Sequence, residues 1–142
     1  MEVLSKDQYP VIGQHSTRWN DNDVYGHVNN VVYYSYFDSA VNRYLIDQCG
    51  LDIHNARVVG YVVSSNCDYF RAFSYPADIL IGVGVQKLGN SSVTYCIGIF
   101  DLESKDPCAQ GTFTHVFVDR ELNKSVAMPK DIRAGLEKIL IS

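Results

Sequence analysis

The chain has little that would place it in a membrane, on a nucleic acid or in an oxidising compartment. No apolar run approaches the roughly 20 residues that a membrane-spanning helix needs, and the opening stretch MEVLSKDQYP is not read as a signal peptide, since it carries Glu2, Lys6, Asp7 and Pro10. Lys and Arg number 12 against 16 Asp and Glu, a net charge of −4. The basic residues are also scattered, whereas binding to nucleic-acid phosphates requires them in clusters, so no nucleic-acid partner is expected. The cysteines Cys49, Cys67, Cys96 and Cys108 contain no Cys-x-x-Cys pair. They read as reduced thiols acting as small hydrophobes in a cytoplasmic protein. Asn90-Ser91-Ser92 matches a glycosylation sequon, expected to stay unmodified without secretion. Internal repeats and low-complexity segments are missing as well.

What is present suits one globular domain spanning residues 1–142. With 46% hydrophobic and 20% charged residues, the chain is long and apolar enough to bury a full core. Residues 14–19 alternate weakly and predict a first strand. Residues 30–48 carry apolar or small side chains on most sides of a helical wheel, which predicts a helix surrounded by protein, and Gly50 supplies its stop. Four β-rich runs follow at 58–70, 79–88, 93–102 and 109–119, with turn chemistry at Tyr75-Pro76, Gly89-Asn90 and Lys105-Asp106-Pro107. They predict four consecutive hairpin-linked strands in an antiparallel sheet. Met128-Pro129 breaks the chain before a last amphipathic helix over 129–140. The class is α+β, in which helix and sheet must bury each other, and the pattern alone allows several arrangements of it.

The chemistry concentrates in residues 18–40, RWNDNDVYGHVNNVVYYSYFDSA. Two carboxylates and a histidine lead straight into an apolar helix. A helix N-terminus presents unpaired N–H groups and about half a positive charge, which stabilise an oxygen that turns negative during reaction. Asp23 precedes that end by one tight turn, Gly26 supplies the turn, and Asn30 is the expected N-cap. The arrangement points to acyl transfer to water.

This stretch resembles the signature of hotdog-fold thioesterases of the 4-hydroxybenzoyl-CoA thioesterase type. Their pattern, Asp-x-Asp-x-x-Gly followed by Val and an aromatic-rich helix, is met by Asp21, Asp23, Gly26, Val28, Tyr33, Tyr36 and Phe37. DVYGHVNN is closer still to bacterial long-chain acyl-CoA thioesterases and plant acyl-carrier-protein thioesterases, which share an Asp-x-x-x-His-Val-Asn-Asn core. The plant enzymes carry a catalytic Asn where this chain has Tyr25, so the bacterial type is the better match. GYVVSSNCDYFRAFSYPADIL, residues 60–80, resembles the long strand and following turn of the same family. The resemblance implies a hotdog fold, an antiparallel sheet wrapped around one long central helix. It also implies edge-to-edge dimers with the active site at the seam, dimer or tetramer overall, an expectation that exposed strand edges support independently.

Asp23 alone could be an ordinary turn former; with the motif it becomes the catalytic carboxylate. As a carboxylate it can activate water or attack the thioester carbonyl, while N–H groups near Asn29 and Asn30 hold the oxyanion. Asp21 reads as a turn or capping residue that orients the loop. His27 is a supporting residue, able to donate to the substrate carbonyl, position water or fix Asn29. In the 4-hydroxybenzoyl-CoA enzymes its position is often apolar. Asp38 is a reserve candidate, otherwise a helix-face residue paired with Asn42 or Arg43. Cys67 reads as a buried thiol. Gly82 and Gly84 lack the third glycine of a dinucleotide fingerprint.

No metal is expected. The calcium-loop likeness of Asp21, Asp23 and Gly26 fails at Tyr25 and at Val32, where a bidentate Glu is needed, and His15, His54 and His115 have no ligand spacing. No cofactor is expected either, coenzyme A entering as part of the substrate. Its phosphates call for basic or hydrogen-bonding groups. Some relatives supply them from the hairpin that here reads KLGNSSV, which makes Lys87, Ser91 and Ser92 weak candidates along with Arg71 and, from another strand, Arg120. The expected substrate is therefore an acyl-CoA or an acyl-carrier thioester, and the competing reading is a non-catalytic hotdog protein that binds an acyl ligand.

Overall fold

The computed structural model describes residues 2–141. Helix α1 (Asn30–Cys49) begins where Asn29, in extended backbone at φ −63° and ψ 138°, accepts the Val31 N–H on its side chain at 3.2 Å. The cap therefore lies one residue before the Asn30 that the sequence suggested, because the Asn29 carboxamide is the one that reaches an early helical amide. The helix ends at Gly50, whose φ of 71° lies in the left-handed region where a Cβ is strained.

The expectation that α1 is enclosed on all sides is corrected. Tyr33, Tyr36, Phe37, Ala40, Val41, Tyr44, Leu45 and Cys49 are buried, a single stripe at three- and four-residue spacing. The opposite face is exposed and pairs with itself: Asn42 Nδ2 donates to Asp38 Oδ1 at 2.9 Å, and Arg43 meets Asp47. These polar pairs interleave with apolar positions and blur the stripe in the sequence.

Strands β1 (Val11–Ser16), β2 (Val58–Tyr69), β3 (Asp78–Leu88), β4 (Ser92–Phe100) and β5 (Ala109–Asp119) form an antiparallel sheet in the order β1-β3-β4-β5-β2, with the short β6 (Lys124–Ser125) against β5. Two corrections follow. First, β1 lies earlier than residues 14–19; Trp19–Asp21 form a 3-10 turn instead, closed by the Arg18 N–H donating to Asp21 Oδ2 at 2.8 Å. Second, the hairpin-linked series holds only for β3, β4 and β5. β2 sits at the far edge beside β5, Val58 opposite Asp119 and Tyr69 opposite Ala109, and residues 70–77 cross back to β3. β3 belongs inside, because Ile79, Ile81, Val83 and Val85 are buried. β2 carries Ser64, Ser65, Asn66 and Asp68, and is exposed over most of its length, as an edge strand tolerates.

Helix α2 (Lys130–Glu137) is shorter than the 129–140 expected, with Pro129 just before it. The chain then returns along β3, where Val85 N–H donates to Ile139 and Ile141 N–H donates to Val85, both at 2.8 Å. α1 packs its stripe against the inner face of the sheet. A curled antiparallel sheet around one long helix, with a short C-terminal helix, is the hotdog arrangement. Among the described residues no helix is long and apolar enough to cross a membrane.

Candidate active site

The loop before α1 is held from below by Asp21. Its buried carboxylate accepts from the Tyr36 hydroxyl at 2.7 Å and from the Arg18 N–H at 2.8 Å, and its carbonyl accepts from the Asn29 N–H at 2.9 Å. Burial and the neighbouring Asp21 carboxylate push the Tyr36 phenol well above its ordinary pKa, so it remains a donor. Asp21 thus has the orienting role expected of it, and the tyrosine that completes it was not singled out for this from sequence. The two are separated by 15 residues, a spacing with no local signature. The loop is also stitched to the 70–77 crossover: Tyr75 N–H donates to Asn22 Oδ1 at 3.0 Å, Val28 N–H to Phe73 at 2.8 Å, and Ser74 Oγ to Gly26 at 2.7 Å.

Within this frame Asp23 closes its own turn. Its N–H donates to His27 at 2.9 Å, its carbonyl accepts from Gly26 at 3.1 Å, and its Oδ1 accepts from the Tyr25 N–H at 2.8 Å. Gly26, at φ 84°, makes that turn possible. The half-buried carboxylate keeps its other oxygen, Oδ2, without a partner among the described residues.

The first amides of α1 show a similar remainder. Asn29 N–H is taken by Asp21, Val31 N–H by the Asn29 side chain, and Val32 N–H by the Asn29 carbonyl at 2.9 Å. Asn30 N–H has no partner among the described residues, as a residue at the first helical position allows. Asp23 and Asn30 line one cavity of about 450 Å³ together with Tyr33, Tyr69, Phe70 and Arg71. Its wall is aromatic, with the Tyr33 ring edge-on to Tyr69 at 4.9 Å and tilted against Phe73 at 5.3 Å. Tyr69 donates its hydroxyl to the Asn30 carbonyl at 3.2 Å, tying β2 to the helix start.

The other sequence candidates are distributed differently. His27 is exposed and its imidazole makes no hydrogen bond among the described residues, so it is not joined to the Asp23 carboxylate. Arg71 reaches the cavity, but its guanidinium is bound to Asp101 at 2.9 Å and to the Asp106 carbonyl at 2.8 Å, and that pairing raises its pKa. Lys87, Ser91 and Ser92 lie around the β3–β4 hairpin, at the opposite end of the sheet from Tyr69 and the Asp23 cavity. Arg133 and the Met128 N–H bind that hairpin's backbone. Arg120 is at the same far end, donating to the Ala56 carbonyl. The four cysteines form no disulfide, and burial pushes the Cys67 thiol up to about 11, consistent with a structural thiol rather than a nucleophile.

Comparison with known proteins adds to this geometry. A family model described as the thioesterase-like superfamily matches residues 17–136. The chain is similar to the PA5185 protein of Pseudomonas aeruginosa strain PAO1, whose crystal structure aligns with a TM-score of 0.97 at 48% identity over 99% of each chain. The protein YsmA of Bacillus subtilis (strain 168) is 29% identical over 122 residues, 86% of this chain and 82% of that one. The fold extends to a 1,4-dihydroxy-2-naphthoyl-CoA thioesterase from Synechocystis, with a TM-score of 0.80 at 16% identity over 88% of this chain and 93% of that one.

Proposed function

The chain belongs to the thioesterase-like superfamily and is a thioester hydrolase, and from that premise we propose that it cleaves an acyl-CoA thioester, at the cavity shared by Asp23 and Asn30, to a free carboxylic acid and coenzyme A. One observation carries this reading: a residue whose carboxylate has one unpaired oxygen and a residue whose helix-terminal N–H has no partner among the described residues line the same cavity. Asp23 acts on the carbonyl carbon in one of two ways. Either it takes a proton from a water that attacks, or it attacks directly to form an anhydride that water then opens. In both, the carbonyl electrons move onto oxygen, where the Asn30 N–H and the positive end of α1 stabilise them, and return as the C–S bond breaks and the thiolate leaves to be protonated. His27, Asn29 and Asn30 support this step, Asn29 by fixing the helix start and His27 from the loop surface.

No cofactor is required, coenzyme A being part of the substrate. The exposed edge of β2, with Tyr61, Val62 and Val63 half-exposed or more, supports pairing with the same edge of a second copy. A strand paired with itself about a two-fold axis runs antiparallel, so the Tyr69 end of one copy meets the Val58 end of the other. That brings the end of the second copy that bears Lys87, Ser91, Ser92 and Arg120 towards the Asp23 cavity, where with Arg71 these groups would meet the coenzyme's phosphates. The absence of disulfides suits the reducing cytoplasm.

Thiol release from short, long and aromatic acyl-CoA esters, and from acyl-carrier-protein esters, tests the reading. Wild type is expected to turn over CoA esters, and Asp23→Asn to lose at least about a thousandfold in kcat. Turnover confined to carrier-protein esters would move the substrate class, and none by either protein would leave a ligand-binding role.

A further inference from the structure

Tyr9, Tyr33, Tyr36, Tyr44 and Tyr95 are buried, and four of their hydroxyls are matched inside the protein. Tyr9 donates to Gln110 Oε1 at 3.1 Å, Tyr36 to Asp21 at 2.7 Å and Tyr44 to the Gly135 carbonyl at 2.6 Å, and Tyr95 shares a hydrogen bond with His115 Nδ1 at 3.3 Å. Such matching is the rule for a phenol taken out of water. Tyr33 is the exception. The residue is only 3% exposed, yet its hydroxyl has no partner among the described residues.

That oxygen is not sealed in the core. Among the described residues no fully buried side-chain nitrogen or oxygen lacks a partner, so the Tyr33 hydroxyl keeps some accessible surface, and the residue lines the cavity it shares with Asp23. The fold itself does not need it. The ring is fixed by Tyr69, Phe73 and Tyr36, with centroids at 4.9, 5.3 and 6.3 Å, contacts that a phenylalanine would make equally well.

We propose that the Tyr33 hydroxyl determines substrate specificity by donating a hydrogen bond to an oxygen carried on the acyl group, so that the cavity favours oxygen-bearing acyl thioesters over plain alkyl or aryl ones of the same size. The proposal rests on the reading of the Asp23 cavity as the acyl site. Burial pushes the phenol up to about 12, which keeps it protonated throughout the neutral range. The thioester carbonyl already has a donor in Asn30 N–H; Tyr33 lies almost one helical turn further on, among aromatic rings, where the rest of the acyl group would lie. An unsubstituted acyl group there strips the hydroxyl of water and returns nothing, which is how a hydrogen-bonding site rejects an analogue lacking its oxygen.

The test uses matched CoA esters, alkanoyl against hydroxyalkanoyl of equal length and benzoyl against hydroxybenzoyl. Wild type is expected to favour one oxygen-bearing member by about ten- to a hundredfold in kcat/KM. Tyr33→Phe should erase that preference by lowering the oxygen-bearing ester while the plain one holds level or rises, with the unfolding midpoint unchanged. No preference in wild type, or an equal loss on both members in Tyr33→Phe, overturns the proposal. Dissociation constants of the same pairs for Asp23→Asn, with and without Tyr33→Phe, read the selectivity without turnover. Failure of the thioesterase reading is thereby distinguished from failure of this one.

Discussion

The two ends of α1 handle their hydrogen-bonding groups differently. At the C-terminal end, Gly50 turns the chain at φ 71°, Leu51 N–H returns to the Leu45 carbonyl at 3.0 Å, and Tyr44 ties its hydroxyl to Gly135 in α2. Gly135 lies so close to Cys49 that a Cβ there would collide with the thiol. At the N-terminal end, Asp21, Asn22 and Asn29 spend their hydrogen bonds on holding the loop. Three neighbouring groups then have capacity to spare: Asp23 Oδ2, Asn30 N–H and the Tyr33 hydroxyl. Satisfied groups place the end; the unsatisfied ones belong to residues that line the cavity. A substitution at the C-terminal end should therefore register as stability, and one at the N-terminal end chiefly as turnover.

Acid should act most strongly through the sealed half of the molecule. His115 is buried among Phe113, Tyr95 and Phe117, and burial lowers its pKa to about 4. The folded state favours the neutral ring, whereas the unfolded chain takes up the proton near the ordinary value of about 6.5. Its contribution is complete above pH 6.5 and is lost as pH falls towards 4, by about 3 kcal/mol across that window. Urea unfolding at pH 7, 5 and 4 should show this fall, and His115→Gln should flatten it. An equally steep fall in the variant would assign acid sensitivity elsewhere.

Asn29→Ala sharpens the contrast from the other side. Loss of the cap should cost about 1–2 kcal/mol in denaturant unfolding, while kcat drops by roughly tenfold or more because the Asn30 amide is no longer held in place. A stability loss with unchanged kcat would detach the helix start from the chemistry. Gly50→Ala should have the smallest effect. It places a Cβ in the left-handed region, costs about 1 kcal/mol, and leaves kcat and KM as they were.

Much of this asymmetry is visible in the sequence, and some is not. Asp23, Gly26 and the aromatic helix stand out because a tight turn entering an apolar helix has a short-range pattern. The extent of α1 and of the long strands follows from composition and from Gly50. Contacts across the fold are harder to read. The Asp21–Tyr36 bond spans the loop and a full turn of helix, and β2 next to β5 reverses the hairpin order that adjacent runs suggest. Asn29 and Asn30 are equally good caps by residue type, so only geometry separates them. The pairs Asp38–Asn42 and Arg43–Asp47 hide a one-sided helix among tyrosines. Whether Lys87, Ser91 and Ser92 join the cavity depends on a second copy, which the pattern of one chain does not encode.

The central claim is that the unpaired oxygen of Asp23 performs the chemistry, with the Asn30 N–H holding the oxyanion, while Asp21, Asn22 and Asn29 hold the loop. Its most direct test is kcat for thioester cleavage by Asp23→Asn, measured alongside the unfolding midpoint and the affinity for the CoA ester. The account predicts turnover lower by at least about a thousandfold, with stability and binding close to wild type. A folded Asp23→Asn protein that hydrolyses the ester at the wild-type rate would contradict it.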